Sequence, residues 1–337
     1  MEISMRKILL ASTALVAVAG VSAASADGHI SFSGSADFTY TSVSDNVEDN
    51  TTNGENGTSM SADSQLAASW STTTDSGLEI AVAYDVDANS GDWSITGDWG
   101  TFTFDEGSEA MGTGAADADS VSNMSFGMTP EYGGGNGING GIIAYSNTIG
   151  PISFAVGMGD GGTDATDGDG EANETSYGVS YSANVNGADV SIGYAAASTG
   201  SATSADDSAD LNASSMNVGV TVGSIGVAMA QNAQKADQND GLDNTSATNQ
   251  SDLKSTNFGL TYAVSDSLSL EAASIAAEGT INGDDTYKYD ESAYGVAYTI
   301  ATGLSLTISY SDFTQSGGAA IDDVSGSATM VDLSVSF

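Results

Sequence analysis

The sequence predicts an all-β fold: a 16-stranded antiparallel transmembrane β-barrel. Beyond residue 26, apolar side chains recur at every second position, as in a strand with one apolar face, and no stretch shows the 3.6-residue period of a helix. The alternating segments number about sixteen. Their connectors are mostly short and long in turn, which is the layout of a barrel with tight turns at one end and long loops at the other.

The first 26 residues predict a signal peptide that is removed on export. Arg6 and Lys7 form a short positive region, the apolar stretch ILLASTALVAVAGVSA follows, and Ala24-Ser25-Ala26 supplies the small residues that signal peptidase requires. The apolar stretch has about 16 residues, fewer than the roughly 20 of a membrane-spanning helix. We therefore expect cleavage after Ala26, with a signal peptide over 1–26 and one barrel domain over 27–337.

Each predicted strand carries its apolar side chains on one face. In LEIAVAYDV, for example, Leu78, Ile80 and Val82 alternate with acidic or small residues, and the last segment, MVDLSVSF, alternates in the same way up to Phe337. In chain order the predicted strands lie at 29–43, 60–73, 78–88, 92–98, 100–106, 139–147, 151–159, 175–184, 188–199, 213–222, 225–233, 253–264, 267–278, 289–300, 303–313 and 326–337.

The connectors fall into two sets. Tight turns are predicted where Gly, Asp, Asn or Ser separates two strands, as in Asp75-Ser76-Gly77 and Asn186-Gly187. An unpaired strand edge cannot lie in hydrocarbon, so the last strand, which ends at Phe337, must pair with the first strand near Ile30 and Phe32. Apart from the short segment 88–92, the other connectors are long, polar and acidic: 44–60, 106–138, 160–175, 200–213, 234–252, 279–288 and 314–325.

The position of the acidic residues distinguishes a membrane barrel from a water-soluble sandwich, whose strands also alternate. When the aliphatic and aromatic side chains are assigned to one face, the acids fall on the other face, and Lys254 and Asp312 near strand ends are the charged exceptions. In a wide barrel the polar face lines a water-filled channel and the apolar face contacts lipid. The acids on the predicted channel face are Asp37, Asp63, Glu79, Asp85, Asp87, Asp98, Asp105, Asp189, Glu271, Glu291 and Asp332.

The composition excludes several classes of function. The chain has 45 acidic and 5 basic residues, a net charge of −40, which excludes a nucleic-acid binder because phosphate contacts need clustered Lys and Arg. The absence of cysteine excludes zinc–thiolate sites, and the single histidine, His29, leaves no Ser-His-Asp machinery. Adjacent carboxylates such as Asp105 and Glu106 point to opposite faces of a strand, so they form no acid/base pair. We predict that the protein is not an enzyme.

Four segments resemble the general bacterial outer-membrane porins, especially the alphaproteobacterial, Rhodobacter-type branch. They are the leader RKILLASTALVAVAGVSAASA followed by ISFSGSADFTY, the hairpin ITGDWGTFTFDEG, the segment Pro130-Glu131-Tyr132-Gly133-Gly134, and the C-terminal Val335-Ser336-Phe337. The resemblance implies location in the Gram-negative outer membrane, a trimer of sixteen-stranded barrels, and a third loop that folds inward and narrows the channel.

The resemblance also suggests where the constriction lies. The third loop would be 106–138, and by the motif match Glu131 would line the narrow point. The family often places basic side chains on the opposite wall, whereas this chain without residues 1–26 has a net charge of −41, no arginine, and three lysines (Lys235, Lys254, Lys288) at or near loop edges. The predicted constriction and pore-lining residues are Glu131, Asp105, Glu106, Glu109, Asp117, Asp119, Asp37, Asp85, Asp87 and Asp98.

These observations predict a passive diffusion channel for small hydrophilic solutes and ions. Rings of carboxylates select cations, so we expect a preference for cations. The expected partners are outer-membrane lipid and lipopolysaccharide, the other protomers of a homotrimer, and the permeating solutes and cations, with no nucleic acid and no required cofactor. An acid excess is also typical of proteins from saline habitats. The sequence is compatible with either origin of the acid excess, cation selectivity of the channel or adaptation to a saline habitat.

A secreted or surface-attached acidic calcium-binding β protein is the alternative prediction. One acidic segment spaces its carboxylates like the oxygen ligands of a hard cation. The same segment is compatible with a solvated acidic loop, or with a surface site where Ca²⁺ or Mg²⁺ bridges to anionic lipopolysaccharide. The candidate calcium ligands are Asp160, Asp164, Asp167, Asp169 and Glu171.

Overall fold

In a computed structural model of the chain, the strands form a closed antiparallel barrel in which each strand pairs with its neighbours in sequence and the first pairs with the last. The structure describes residues 29–45, 57–86, 90–108, 141–159, 174–199, 208–239, 250–281, 285–317 and 324–337. Within these ranges there are sixteen strands, which confirms the predicted fold class. No helix in the same ranges is long and apolar enough to cross a membrane.

The strands differ in length around the barrel. Strands β3 to β7 have 7 to 9 residues, whereas the other strands have 12 to 17, so the wall is lower on one side. The bounds are β1 His29–Asp45, β2 Gly57–Thr73, β3 Glu79–Asp85, β4 Ser90–Gly97, β5 Gly100–Ser108, β6 Gly141–Ile149, β7 Ile152–Gly159, β8 Glu174–Val185, β9 Ala188–Thr199, β10 Ser208–Val222, β11 Ile225–Asn239, β12 Gln250–Ser265, β13 Leu268–Ile281, β14 Asp285–Ala301, β15 Leu304–Ser316 and β16 Val324–Ser336.

The short turns lie together at one end of the barrel, where β1 also begins and β16 ends. The turn between β8 and β9 shows why they can be so tight. Asn186 and Gly187 both have positive φ, 54° and 88°, the backbone that a two-residue hairpin turn needs and that Asn and Gly adopt most readily. The connectors at the other end are mostly longer, as the sequence predicts.

The two faces of the wall are chemically distinct. On β12, Phe258 and Leu260 are 47% and 39% exposed, whereas their neighbours Ser255 and Asn257 are buried. Because side chains alternate along a strand and the concave side of a closed sheet is the less exposed, the large apolar residues form the outer face and the small and polar residues form the inner face. An exposed apolar band of this kind is typical of a surface that contacts a membrane or another protein.

Several strands extend beyond their predicted ends. The structure starts β10 at Ser208 and ends β11 at Asn239, although the sequence assigns 200–213 and 234–252 to loops. Likewise β5 continues to Ser108, two residues beyond the predicted end of that strand at 106, so the first residues of the predicted third loop 106–138 belong to the strand. The predicted boundaries were wrong because the extensions are mainly polar in sequence, so the alternation of apolar residues ends before the backbone pairing does.

Candidate functional site: the inner wall of the barrel

The inner wall carries a group of carboxylates on three adjacent strands. Asp37 on β1 lies directly opposite Asp63 on β2, and Asp332 on β16 lies opposite Thr39, two residues further along β1. Thr39 Oγ1 donates a hydrogen bond of 2.8 Å to Asp332 Oδ2. Two carboxylates directly opposite each other repel, so this side of the wall favours a cation close by.

A second group of carboxylates lies on β13 and β14. Glu271 and Glu291 are both buried on the inner face. Glu271 accepts a hydrogen bond from Ser269 Oγ at 3.3 Å, and Glu291 Oε2 accepts one from the Tyr289 hydroxyl at 2.8 Å. Glu271 Oε2 is buried without a hydrogen-bond partner, so this oxygen remains free to accept a hydrogen bond from a solute or from water.

Neutral hydrogen-bonding groups continue the wall around the barrel. Ser215, Asn232 and Ser255 lie side by side on β10, β11 and β12, and all three are buried. Ser215 Oγ donates to Asn232 Oδ1 at 2.6 Å, and Asn232 Nδ2 donates to Ser255 Oγ at 3.2 Å. The chain of hydrogen bonds orients the three side chains parallel to the wall and satisfies their polar groups locally.

Every lysine of the described strands faces outward. Lys235, Lys254 and Lys288 are exposed and share the face of the outer apolar residues. The described inner wall therefore bears carboxylates and no lysine. It also shows no group of three or more Asp, Glu, His or Cys side chains arranged to hold a metal ion. The wall can attract cations and form hydrogen bonds with polar solutes.

The family assignment agrees with this geometry. Residues 11–318 match the model of the Gram-negative porin family. The chain belongs to that family. No curated protein sequence matches this porin. The family and the closed barrel place the protein in the outer membrane as a channel, so the outer apolar band contacts lipid and the inner wall lines an aqueous passage.

Solved structures with the same fold share little sequence with this porin. The anion-selective porin of Comamonas acidovorans is 12% identical with a TM-score of 0.65, and 92% of this chain aligns with all of that chain. The in-vitro folded trimer form of OmpT from Vibrio cholerae is 14% identical, with a TM-score of 0.59, over 92% and 99% of the two chains. A mutant of the Rh. blastica porin is 18% identical, with a TM-score of 0.52, over 91% and 100%.

The porin's inner wall has one feature that the sequence analysis missed. At the loop end of β12 to β16 the inner face is apolar and aromatic instead of small and polar. Tyrosines are present on both faces of β14, so the alternation in YKYDESAYGVAYTI does not show which face is which. The buried residues of this apolar patch are Leu253, Ile275, Ala277, Tyr287, Tyr289, Phe313 and Val324.

The predicted pore-lining residues lie in different parts of this porin. Asp37 and Asp85 lie on the inner wall, on β1 and β3, while Asp98 is exposed in the turn between β4 and β5 at the short-turn end. Asp105 and Glu106 lie within β5. The remaining predicted residues fall outside the described ranges: Asp87, Glu109, Asp117, Asp119 and Glu131, and the calcium candidates Asp160, Asp164, Asp167, Asp169 and Glu171.

Proposed function

We propose that this porin is a passive diffusion channel for small hydrophilic solutes and ions, with a preference for cations. The observation that carries the proposal is the one-signed inner wall, with Asp37, Asp63 and Asp332 on one side and Glu271 and Glu291 on another. The lysines that could offset these charges lie on the opposite face of the sheet.

The electrostatic argument depends on the shape of the wall. Carboxylates around a passage with low-dielectric walls focus their field into the passage and raise the local concentration of cations. At 4 Å two unit charges interact with about 1 kcal/mol in bulk water and about 4 kcal/mol at an effective dielectric constant of 20. A few wall carboxylates are therefore enough to bias permeation, without any single binding site.

The fold alone does not set the sign of the preference, since the similar porin of Comamonas acidovorans is described as anion-selective. The test is the reversal potential of single channels in a planar bilayer under a KCl gradient. We expect a potential whose sign corresponds to potassium carrying most of the current. A potential of the opposite sign would contradict the cation preference while leaving the channel function intact.

We also propose that the protein functions as a homotrimer. The support comes from the family and from the trimer form of the OmpT structure, which shares the fold. The measurement is migration of the unheated protein on an SDS gel, where a trimer gives a slow band that heating converts to monomer. Native mass spectrometry giving only monomer in mild detergent would contradict the trimer.

Three further parts of the proposal rest on the sequence. Residues 1–26 are proposed to be removed on export, and the intact mass of the protein from outer membranes measures this. The leader and the terminal Phe337 support the alphaproteobacterial, Rhodobacter-type branch. Narrowing of the channel by the third loop and calcium binding by the acidic segment 160–171 stay predictions, as do lipid and lipopolysaccharide as partners.

A further inference from the structure

A polar depression lies on the inner wall at the short-turn end of β8 to β12. Its volume is about 650 Å³, and most of its lining residues belong to the inner face. Asp189, Ser191 and Thr221 are among them, and all three are exposed. The described lining contains no aromatic side chain and no lysine. The depression therefore opens to the aqueous passage with one acidic residue and several hydroxyl groups.

Strand pairing arranges polar side chains of the depression in one row across the wall. Asn184 on β8 lies opposite Asp189 on β9, and Asp189 lies opposite Thr221 on β10. Gly226 on β11 follows, and Thr261 on β12 ends the row. Because paired strands are about 4.8 Å apart, the row extends for about 19 Å. A small solute that lies along it can contact two or three strands at once.

Two glycines leave space between the hydroxyl groups. A Cβ built on Gly226 would come within 2.5 Å of Thr261 Oγ1 and 3.4 Å of Thr221 Oγ1. A Cβ built on Gly219 would come within 2.6 Å of Ser191 Oγ. Each of the three hydroxyl groups thus borders a place where the wall has no side chain. A glycine within a strand allows a ligand to approach the backbone closely.

The Asp189 carboxylate is held in place by the adjacent turn. The Gly187 amide donates a hydrogen bond of 3.1 Å to Asn184 Oδ1. This contact orients the Asn184 amide group, whose Nδ2 donates to Asp189 Oδ1 at 2.8 Å. The carboxylate is thus positioned by a neutral partner, which leaves its negative charge in place. A group positioned in this way loses little conformational entropy when it binds a ligand.

We propose that this depression is a binding site for a small hydroxylated ammonium compound, an amino sugar in its protonated form. The ammonium group donates hydrogen bonds to the Asp189 carboxylate, and the ring hydroxyls form hydrogen bonds with Ser191 and Thr221. The rest of the row, up to Thr261, gives room for the remainder of the solute. The inference rests on the proposed function, because it names a class of substrate for the same channel.

The lining favours this class over other hydrophilic solutes. A neutral sugar only exchanges hydrogen bonds with water for hydrogen bonds with the wall, a small net gain, and it has no aromatic side chain in the described lining to stack on. Asp189 repels anions, as does Glu271, which lies opposite Thr261 on β13 just beyond the depression. For a bare metal ion, the described residues offer no group of three or more acidic ligands.

The first test compares three sugars as blockers of the channel current in a planar bilayer. D-Glucosamine is applied at mildly acidic pH, where its amine is protonated, and D-glucose and N-acetyl-D-glucosamine are the matched uncharged sugars. We expect glucosamine to reduce the current at a concentration at least about fivefold lower than either uncharged sugar, because hydrogen bonds to charged groups are the stronger ones. Equal block by the three sugars, or no block by any of them, would overturn the proposal.

Two variants test whether the block arises at this depression. Asp189→Asn keeps the shape of the side chain and should raise the half-blocking concentration of glucosamine at least about fivefold. Thr221→Val removes one hydroxyl and should raise it about threefold. The matched control is Glu79→Gln, since Glu79 is exposed on the inner face of β3 at the same end of the barrel.

The control should change the half-blocking concentration less than about twofold, because salt screens charges that are far from the solute. If Glu79→Gln weakens the block as much as Asp189→Asn does, general attraction by the acidic wall explains the block, and the proposed site is wrong. Mobility on unheated gels shows whether each variant is folded. If the parent conducts but glucosamine blocks parent and variants alike, this inference alone fails. If the parent forms no channel, the proposed function fails, and this inference fails with it.

Discussion

Gly34 and Phe337 join the first strand of the barrel to the end of the last. The Gly34 amide donates to the Phe337 carbonyl and the Phe337 amide donates to the Gly34 carbonyl, both at 3.0 Å. The phenyl ring of Phe337 lies over Gly34, and a Cβ built on Gly34 would come within 2.6 Å of the ring and 2.8 Å of the Gln65 carbonyl. Closure of the barrel therefore depends on a residue without a side chain at position 34.

The first prediction concerns this closure. Gly34→Leu should displace the Phe337 ring and strain the β1–β16 pairing, with a loss of about 1–3 kcal/mol, as is typical of overpacking. The measurement is the denaturant midpoint of the refolded protein in detergent, followed by gel mobility without heating. Gly57→Leu is the matched control, because nothing lies within 4 Å of a Cβ at that position. Equal losses in the two variants would contradict a specific role for the Gly34–Phe337 contact.

The alternation along single strands explains how much of the fold is readable from the sequence. On β12 the outer residues Phe258, Leu260 and Tyr262 alternate with Asn257, Gly259 and Thr261, so both the strand and its orientation follow from the order of residues. On β14 the tyrosines at 287 and 289 face inward while those at 294 and 298 face outward. The tyrosines thus change face along β14, so alternation alone does not assign the two faces of this strand.

The candidate site was only partly readable for the same reason. Asp37 and Asp85 follow from alternation, and the structure puts both on the inner wall. The pairing of charged residues on the outer wall could not be predicted, because Lys235, Asp252 and Glu278 lie in or near segments that read as polar loops. Only the pairing of β11, β12 and β13 places them side by side, and pairing partners are set by the whole barrel instead of by local sequence.

The second prediction tests the inner-wall carboxylates. The double variant Asp37→Asn, Asp63→Asn removes two facing negative charges from the inner wall. We expect the ratio of potassium to chloride permeability to fall toward unity by at least about twofold, with the largest effect at low salt, where charges are least screened. The measurement is the reversal potential of single channels in KCl gradients of different ionic strength.

The matched control for this prediction is Asp290→Asn. Asp290 is exposed on the outer face of β14, two residues along the strand from Lys288. Removing its charge should leave the reversal potential unchanged. If Asp290→Asn alters the selectivity as much as the inner-wall double variant does, the field of the whole protein sets the preference, and the inner wall has no special role.

The third prediction concerns the hydrogen-bonded row on the inner wall. Asn232→Ala removes the group that accepts from Ser215 and donates to Ser255. Because this leaves buried hydroxyls without their partner, we expect a loss of about 1–3 kcal/mol in the free energy of unfolding. Gln231→Ala, the neighbouring exposed residue on the outer face, should stay within about 0.5 kcal/mol of the parent. Comparable losses at both positions would show that the row adds no specific stability.

The fourth prediction uses two adjacent residues of β15 that face opposite environments. Ile308 is exposed on the outer apolar face, and Thr307 lies on the inner wall directly opposite Asp332. A lysine in place of Ile308 puts a cation into lipid, which should cost about 2–4 kcal/mol near the bilayer midplane. Folding yield into lipid vesicles and the denaturant midpoint measure this loss.

The paired variant, Thr307→Lys, should behave differently in both folding and conduction. Its ammonium group would lie in the aqueous passage next to Asp332, so folding should be close to that of the parent while the preference for cations decreases. Because the two residues are neighbours in sequence, any general intolerance of lysine in β15 would affect both variants equally. Equal folding losses would mean that the two faces of β15 do not differ as lipid and water do, and the assignment of the channel lumen would be wrong.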